Sequence, residues 1–294
     1  MEYIKAKTIV TKNKKPDYWF GHEYNMNIYK GCNHGCIYCD SRSSCYGVID
    51  FDTIRAKENA LEIIRDDLRR KVMKGVVCSG AMSDPYNIFE KDLKLTRNAL
   101  ELINAYHFGA GLITKSDLVT RDTDILLDIK EHAPVMVKTT ITTYDDTLSR
   151  KIEPNAPVSS KRAAAIKELS KAGIFCGVLM TPILPFIEDT QKNIESIVEI
   201  AAESGAKFIY AQMGVTLRGN QQQWYYDKLD SLFPGIRNEY IMQYGDKYYC
   251  NSPHTRRLLK IFREKCDKYG LLYSMADIIR ASRRDYEFKQ MTLF

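Results

Sequence analysis

The chain predicts an α/β fold of six parallel strands joined by helical crossovers, arranged as a partial, open (β/α)6 barrel or a doubly wound sheet. Three observations carry this. Short apolar runs of strand length, such as Val135–Ile141 and Ile174–Met180, recur along the chain. Segments with apolar residues at helical spacing separate them. The alternation holds from Tyr24 to Gly214 and then stops. A βαβαβ order places its strands parallel, because each crossover returns the chain to the same end of the sheet.

The elements follow in order. Strand one covers Tyr24–Tyr29, and a helix is expected over Thr53–Lys74, with Leu61, Ile64, Leu68 and Val72 on one face. The next strands are Gly75–Ser79, Gly111–Thr114, Val135–Ile141, Ile174–Met180 and Lys207–Gln212. Helices between them centre on Leu95–Ala105, Asp122–His132, Ser160–Ala172 and Thr190–Glu203. Gly173 stands where a helix C-cap glycine is expected. Residues 1–23 read as a basic segment, 24–214 as the barrel, and 215–294 as a mainly helical C-terminal extension that selects the substrate.

The apolar share of 45% over 294 residues supports a sizeable core. The N-terminus lacks the apolar stretch of a signal peptide. The most apolar run, Ile174–Ile187, is broken by Thr181, Pro182 and Pro185 and is too short to span a bilayer. Eight cysteines without a secretion signal point to a reducing compartment and metal use. A cytoplasmic protein with no membrane partner is the expectation. The net charge of +6 is uneven: His254–Lys289 holds ten Lys/Arg against five Asp/Glu. Such a segment suits an anionic partner such as nucleic acid, or is an ordinary solvated helix face.

Cys32, Cys36 and Cys39 form a C-x3-C-x2-C run. Thiolates suit iron–sulfur clusters and zinc, and three of them leave one iron of a four-iron cluster without a protein ligand. The alternative is a structural Cys3His zinc site with His34 as fourth ligand. His34 lies between two of the cysteines, where wrapping one ion strains the loop. No second cysteine pair stands at zinc-site spacing. In a parallel α/β fold, function gathers beyond the C-terminal strand ends. Polar residues stand there after every strand: the cysteines, Ser79–Tyr86, Thr114–Ser116, Thr139–Thr143, Thr181 and Gln212 with Arg218.

The cysteine spacing, with Tyr38 before the last Cys, resembles the signature of the radical S-adenosylmethionine (SAM) superfamily. The resemblance implies a [4Fe-4S] cluster whose open iron chelates SAM. One electron then splits SAM into methionine and a 5′-deoxyadenosyl radical that abstracts hydrogen. Ser83-Asp84-Pro85-Tyr86, Glu90, Thr96-Arg97, Thr114-Lys115-Ser116, Glu153-Pro154, Arg162 and Pro182–Pro185 with Asp189 resemble the spore photoproduct lyase-like branch. Within it, the chain is similar to small radical SAM proteins described as one of a mobile pair, so a partner radical SAM protein is implied.

Residue by residue, the resemblance places SAM's amino group on Ser83 and Asp84. It places the methionyl carboxylate or ribose on Lys115 and Thr140, and the adenine against Tyr38. Arg162 either contacts the cofactor or braces the barrel mouth through Glu153. A low-potential flavodoxin or ferredoxin is the implied electron donor. One position departs from the branch: the hydrogen-returning cysteine before the Ser/Thr-Asp pair is here Met82, which has no S–H. Cys45 is the candidate substitute, beside Tyr38 as a catalytic candidate; it reads equally as a small packed residue. Cys78 and Cys176 read as core, and Cys250 with Cys266 is too few for a second cluster. Gln221–Tyr226 sets amides beside aromatics, a pattern able to stack bases or to form core. Three functions stand: a radical SAM enzyme on nucleic acid or nucleotide, one modifying a peptide or protein, and a non-catalytic metal-binding protein.

Overall fold

The computed structural model describes residues 1–16 and 19–291. The chain opens with β1 (Glu2–Ile4), β2 (Val10–Lys12), β3 (Tyr24–Met26), β4 (Tyr29–Lys30) and β5 (Arg55–Lys57). There follow α1 (Ala60–Arg69), β6 (Val76–Ser79), α2 (Glu90–Leu93), α3 (Leu95–Ala105), β7 (Gly109–Thr114), α4 (Thr123–Lys130) and β8 (Val135–Thr140). Next come α5 (Asp146–Ile152), α6 (Ser159–Lys171), β9 (Cys176–Met180), α7 (Gln191–Glu203) and β10 (Phe208–Ala211). The C-terminal part holds β11 (Gly214–Thr216), α8 (Gly219–Leu232), α9 (Ile236–Tyr244), β12 (Tyr249–Asn251), α10 (Thr255–Tyr269) and α11 (Met275–Met291).

The main sheet has the order β10-β9-β8-β7-β6-β3-β2, with β2 antiparallel at the edge and the other six parallel. This order separates the two architectures left open by the sequence. A doubly wound sheet reverses its strand order at a switch point. Here the parallel strands run consecutively across the sheet, so right-handed crossovers all fall on one face. The result is a partial barrel whose other face lines a lumen.

Three elements differ from expectation. The strand expected over Tyr24–Tyr29 is split into β3 and β4, which pair in different sheets. The helix expected over Thr53–Lys74 is confined to α1, because Arg55–Lys57 pairs with β1 and β4 in a small sheet and Val72 is 93% exposed. The N-terminal segment is structured, contributing β1 and β2. In the extension, β11 and β12 form a ribbon among the helices, and Leu272 bridges Phe208 in parallel along the open edge of β10. Of the basic C-terminal segment, the side chains of Glu287 and Lys289 lie outside the described ones.

Strand alternation divides the core. Leu112, Val137 and Val178 pack outward with the helices, while Met136, Leu179 and Phe208 face the lumen with Phe20 and Ile278. Lys138 shares the lumen face and is fully buried, its Nζ 2.5 Å from His22 Nε2 and 4.0 Å from Cys78 Sγ. Gly111 makes room for the imidazole, since a Cβ there would lie 2.7 Å from it. No described carboxylate forms an ion pair with Lys138, and burial pulls its pKa down to about 8 from the usual 10.5.

A base with a depressed folded pKa carries its full destabilisation below that pKa. The destabilisation fades as pH rises toward the unfolded value. Urea unfolding should therefore show the wild type gaining ~2–3 kcal/mol between pH 8 and 10 relative to Lys138→Met. Parallel pH profiles for the two proteins would contradict a buried, uncompensated lysine.

Candidate active site

The parallel strands end together at one rim, and a cavity of about 390 Å³ opens there. Cys32, Cys36, Tyr38, Cys39, Ser83, Asp84, Lys115 and Thr140 all line it. The structure thus gathers eight of the ten residues singled out from sequence. Cys45 and Arg162 lie outside the lining.

The cysteine loop is held from both sides. At its start Cys32 N–H donates to Phe51 O (2.8 Å), and Gly31 has φ +84° with a would-be Cβ 2.3 Å from Thr53 O, so only glycine fits. From behind, Ile37 N–H donates to Ile152 O (2.9 Å). Asn155 bonds the carbonyls of His34 (3.1 Å, through its backbone) and Asn33 (2.7 Å, through its amide). The segment after α5 is therefore a strap across the back of the loop. Burial raises all three thiol pKa values, that of Cys32 to about 11.

Among the described residues, no three His, Cys, Asp or Glu side chains gather closely enough to hold one metal ion. A Cys3His zinc site needs a fourth donor beside the three thiols, and the Nδ1 of His34 faces Asp84 instead. Three thiols sharing a cavity without converging suit a larger group in which each binds a different metal atom. His34 points elsewhere: it is buried with Nδ1 3.5 Å from Asp84 Oδ2.

Asp84, expected to receive SAM's amino group, lines the cavity and is hydrogen-bonded within its rim. Its Oδ1 accepts from Tyr86 N–H (2.9 Å) and Thr114 Oγ1 (2.7 Å). Its Oδ2 accepts from Lys115 N–H (2.8 Å) and faces His34. A carboxylate has about four acceptor sites, and three of them take these hydrogen bonds. Asp84 ties the loops after β4, β6 and β7 together. Ser83 donates its hydroxyl to Tyr29 O (3.0 Å) and keeps its oxygen lone pairs as acceptors beside the cavity.

Behind the cavity wall sits a buried charged network. The Tyr38 hydroxyl donates to Glu153 Oε1 in a short hydrogen bond, and Arg162 Nη1 lies 2.5 Å from Glu153 Oε2. Arg162 is fully buried and donates to Thr140 O (3.0 Å) and Pro157 O (2.5 Å). It is a brace one layer behind the cavity, which corrects its placement among the cofactor contacts. Burial pushes the Glu153 carboxyl up, but Arg162 and Lys115 outweigh it and hold it below the usual range. Lys115 Nζ lies 4.0 Å from Glu153 and 5.6 Å above the Tyr38 ring. Burial pulls Lys115 down, but Cys36 and Glu153 more than restore it, so it is charged beside the thiols. The Tyr38 carbonyl accepts from the Gln221 amide (3.3 Å), which ties the cysteine loop to α8.

Cys45 is exposed, with Arg218 Nη1 3.5 Å from its sulfur. Arg218 also pairs with Asp40 (3.0 Å), which lines the cavity, so Cys45 stands just outside the mouth. Trp19, Phe51, Thr181, Gln212 and Thr216 also line the cavity. The strand-end rule marked Thr181 and Gln212; nothing marked Trp19, which precedes the barrel.

Replacing one member of a buried ion pair strands the other, at a cost of about 3–5 kcal/mol. Glu153→Gln should lose that much in chemical denaturation, and Glu153→Leu with Arg162→Met together should lose less than either alone. Additive losses would show that the two charges are not coupled.

A family model described as Radical SAM superfamily matches residues 26–201, more than half of the chain. An uncharacterized protein of Methanocaldococcus jannaschii is 35% identical over 192 residues, covering 64% of this chain and 69% of its own. An uncharacterized protein of Mycobacterium tuberculosis is 28% identical over 244 residues, covering 81% and 71%. Spore photoproduct lyase complexed with dinucleoside spore photoproduct superposes with a TM-score of 0.68 at 15% identity, over 93% of this chain and 81% of that one. A radical S-adenosylmethionine methyltransferase from Kitasatospora setae gives 0.56 at 10% identity, over 82% and 51%. At those identities the likeness is one of fold. The cysteine loop at the rim, the consecutive parallel strands and the match across the barrel agree: the chain belongs to the radical SAM superfamily.

Proposed function

We propose that Cys32, Cys36 and Cys39 hold three irons of a [4Fe-4S] cluster, with SAM at the fourth, and that the substrate is a nucleic acid or nucleotide. The observation that carries the first part is that all three thiols of the C-x3-C-x2-C run line one cavity, together with Ser83, Lys115 and Thr140. When bound, the cluster supplies the electron that cleaves SAM to the 5′-deoxyadenosyl radical, which takes a hydrogen atom from the substrate.

The chain's own residues provide the setting. Lys115 places a positive charge beside Cys36 and Cys39, where it offsets thiolate charge and attracts the methionyl carboxylate. The Ser83 oxygen accepts from the amino group. The Thr140 hydroxyl is placed for the ribose or carboxylate, and the Tyr38 ring, fixed by Glu153, offers a flat wall for the adenine. With its hydroxyl committed to Glu153, Tyr38 orients and does not move a proton.

The substrate reading rests on the rest of the cavity and on charge. Trp19 offers an indole face, and Gln212, Thr181 and Thr216 offer an amide and hydroxyls, the groups that stack on and read an extruded base. Exposed Arg256, Lys260 and Arg263 lie along α10, whose first turn is anchored by Thr255 Oγ1 to Met213 O (3.3 Å), next to cavity-lining Gly214. The fold shared with spore photoproduct lyase, seen with a dinucleoside, supports the same class. The hydrogen return differs from that branch. Met82 lines the cavity without an S–H, and Cys45 is the thiol at the mouth.

Anaerobically reconstituted and reduced protein should form 5′-deoxyadenosine from SAM, and Cys36→Ala should form none while losing iron. Fluorescence anisotropy with a single-stranded oligonucleotide should show affinity falling with salt, and Arg256→Glu/Lys260→Glu should weaken it about tenfold or more at low salt. Deoxyadenosine formation with salt-independent or absent oligonucleotide binding would move the substrate to peptides or proteins.

A further inference from the structure

The first helix of the C-terminal extension meets the cysteine loop and not the cavity. No residue of α8 is among those that line the cavity. Its first two turns instead contact the loop and the segment that follows it. Asn220 accepts from Ser44 N–H (2.7 Å) through its side-chain oxygen and donates its amide to Arg42 O (3.3 Å). The Arg42 guanidinium lies 3.8 Å from the centre of the Trp224 ring. Arg218, the N-cap residue of α8, pairs with Asp40 (3.0 Å). Gln221 reaches furthest in, to the Tyr38 carbonyl (3.3 Å).

Gln221 is fully buried, and both ends of its amide are used. Its Oε1 accepts from the N–H of Arg218 (3.0 Å), the reach of an N3 residue back to the N-cap. That bond fixes which end of the amide is oxygen, so the NH2 end faces Tyr38. Glu serves such a cap as Gln does, but an ionised carboxylate has no N–H to give the carbonyl. Tyr38 is thereby held at two points, its hydroxyl on Glu153 and its carbonyl on Gln221. That carbonyl belongs to the peptide that leads into Cys39. Fixing the peptide fixes the backbone from which both the Tyr38 ring and the Cys39 thiol depart.

We infer that Gln221 is a positioning residue for the cofactor site: it holds the Tyr38–Cys39 peptide so that ring and thiol both face the cavity. The inference rests on the proposal that the three cysteines hold a cluster and that the Tyr38 ring lies against the adenine. The strap after α5 bonds the loop at Asn33, His34 and Ile37, while α8 bonds it at Tyr38 and, further on, at Arg42 and Ser44. The two halves of the cysteine segment are thus held by different elements, the second by the extension. Loss of a partner that orients a metal ligand without touching the metal commonly costs about 10–100-fold in affinity or activity.

The test separates this bond from the fold, using the full-length protein. Gln221→Met keeps the volume and removes both hydrogen bonds. Tyr225→Phe removes a different buried hydrogen bond of α8, that to Tyr240 (2.9 Å), and leaves the loop's backbone alone. In cluster-free protein, hydrogen exchange of the amides of residues 37–46 should quicken in Gln221→Met and stay at the wild-type rate in Tyr225→Phe. After anaerobic reconstitution, with iron and sulfide counted per chain, SAM is titrated and followed by electron paramagnetic resonance. The cluster-loaded Gln221→Met protein should bind SAM with a Kd raised about 10-fold, and Tyr225→Phe with the wild-type Kd. Asn220→Ala, an exposed change in the same clamp, should raise it less. A Gln221→Met protein that loads less cluster yet binds SAM with the wild-type Kd overturns positioning and leaves Gln221 a folding residue. An equal rise in Tyr225→Phe also overturns it, by assigning the effect to the packing of α8. Should Gln221→Met hold no cluster, Asn220→Ala decides: an unchanged Kd overturns the inference and a raised one upholds it. A wild type that loads no four-iron cluster, with the exchange difference intact, overturns the cluster proposal and not the hold of Gln221 on the loop.

Discussion

The Glu153 carboxylate is the constraint on which the site depends. It is buried, takes the Tyr38 hydroxyl, pairs with Arg162 and faces Lys115. A carboxylate is stable at such depth only when its charge is matched and its lone pairs are occupied. Each partner comes from a different part of the barrel: Tyr38 from the cysteine loop, Lys115 from the end of β7, Arg162 from α6. One buried charge therefore fixes the loop against the strand ends. The strap that carries Glu153 also bonds the loop's backbone at Ile37, His34 and Asn33.

Asp84 does the corresponding work on the opposite wall. Its four neighbours join the loops after β4, β6 and β7, so the two carboxylates brace the cavity from either side. Both are engaged mainly with protein partners, which turns them away from a ligand. The groups left to meet one are Lys115, the Ser83 oxygen, Thr140 and the thiols. This division separates residues that shape the site from those that are left to meet a ligand, although both kinds come from the same strand ends.

Much of this was legible in the sequence. The six parallel strands were, because each is a short apolar run between helices of regular spacing. The cysteines were, because soft ligands at close spacing have few other uses. The roles of Asp84 and Arg162 were not, because sequence shows residue type but not which lone pairs or N–H groups are already occupied. The helix expected over Thr53–Lys74 was overextended because helical spacing from Leu61 to Val72 carries no sign that Arg55–Lys57 pairs with distant strands. Trp19 and the part played by Gln221 were invisible for a related reason. Both depend on surfaces brought together from separate elements: α8 and the cysteine loop for Gln221, and a segment ahead of the barrel for Trp19. Among the described residues no helix is long and apolar enough to cross a membrane, in line with the broken apolar run at Pro182 and Pro185.

The account stands most directly on the electron paramagnetic resonance of the reconstituted, reduced protein, recorded with and without SAM. A four-iron cluster signal that shifts when SAM is added would show an open iron bound by SAM, as three cysteine ligands require. Bound zinc with no SAM response, or a cluster signal that SAM leaves unchanged, would contradict the assignment of Cys32, Cys36 and Cys39.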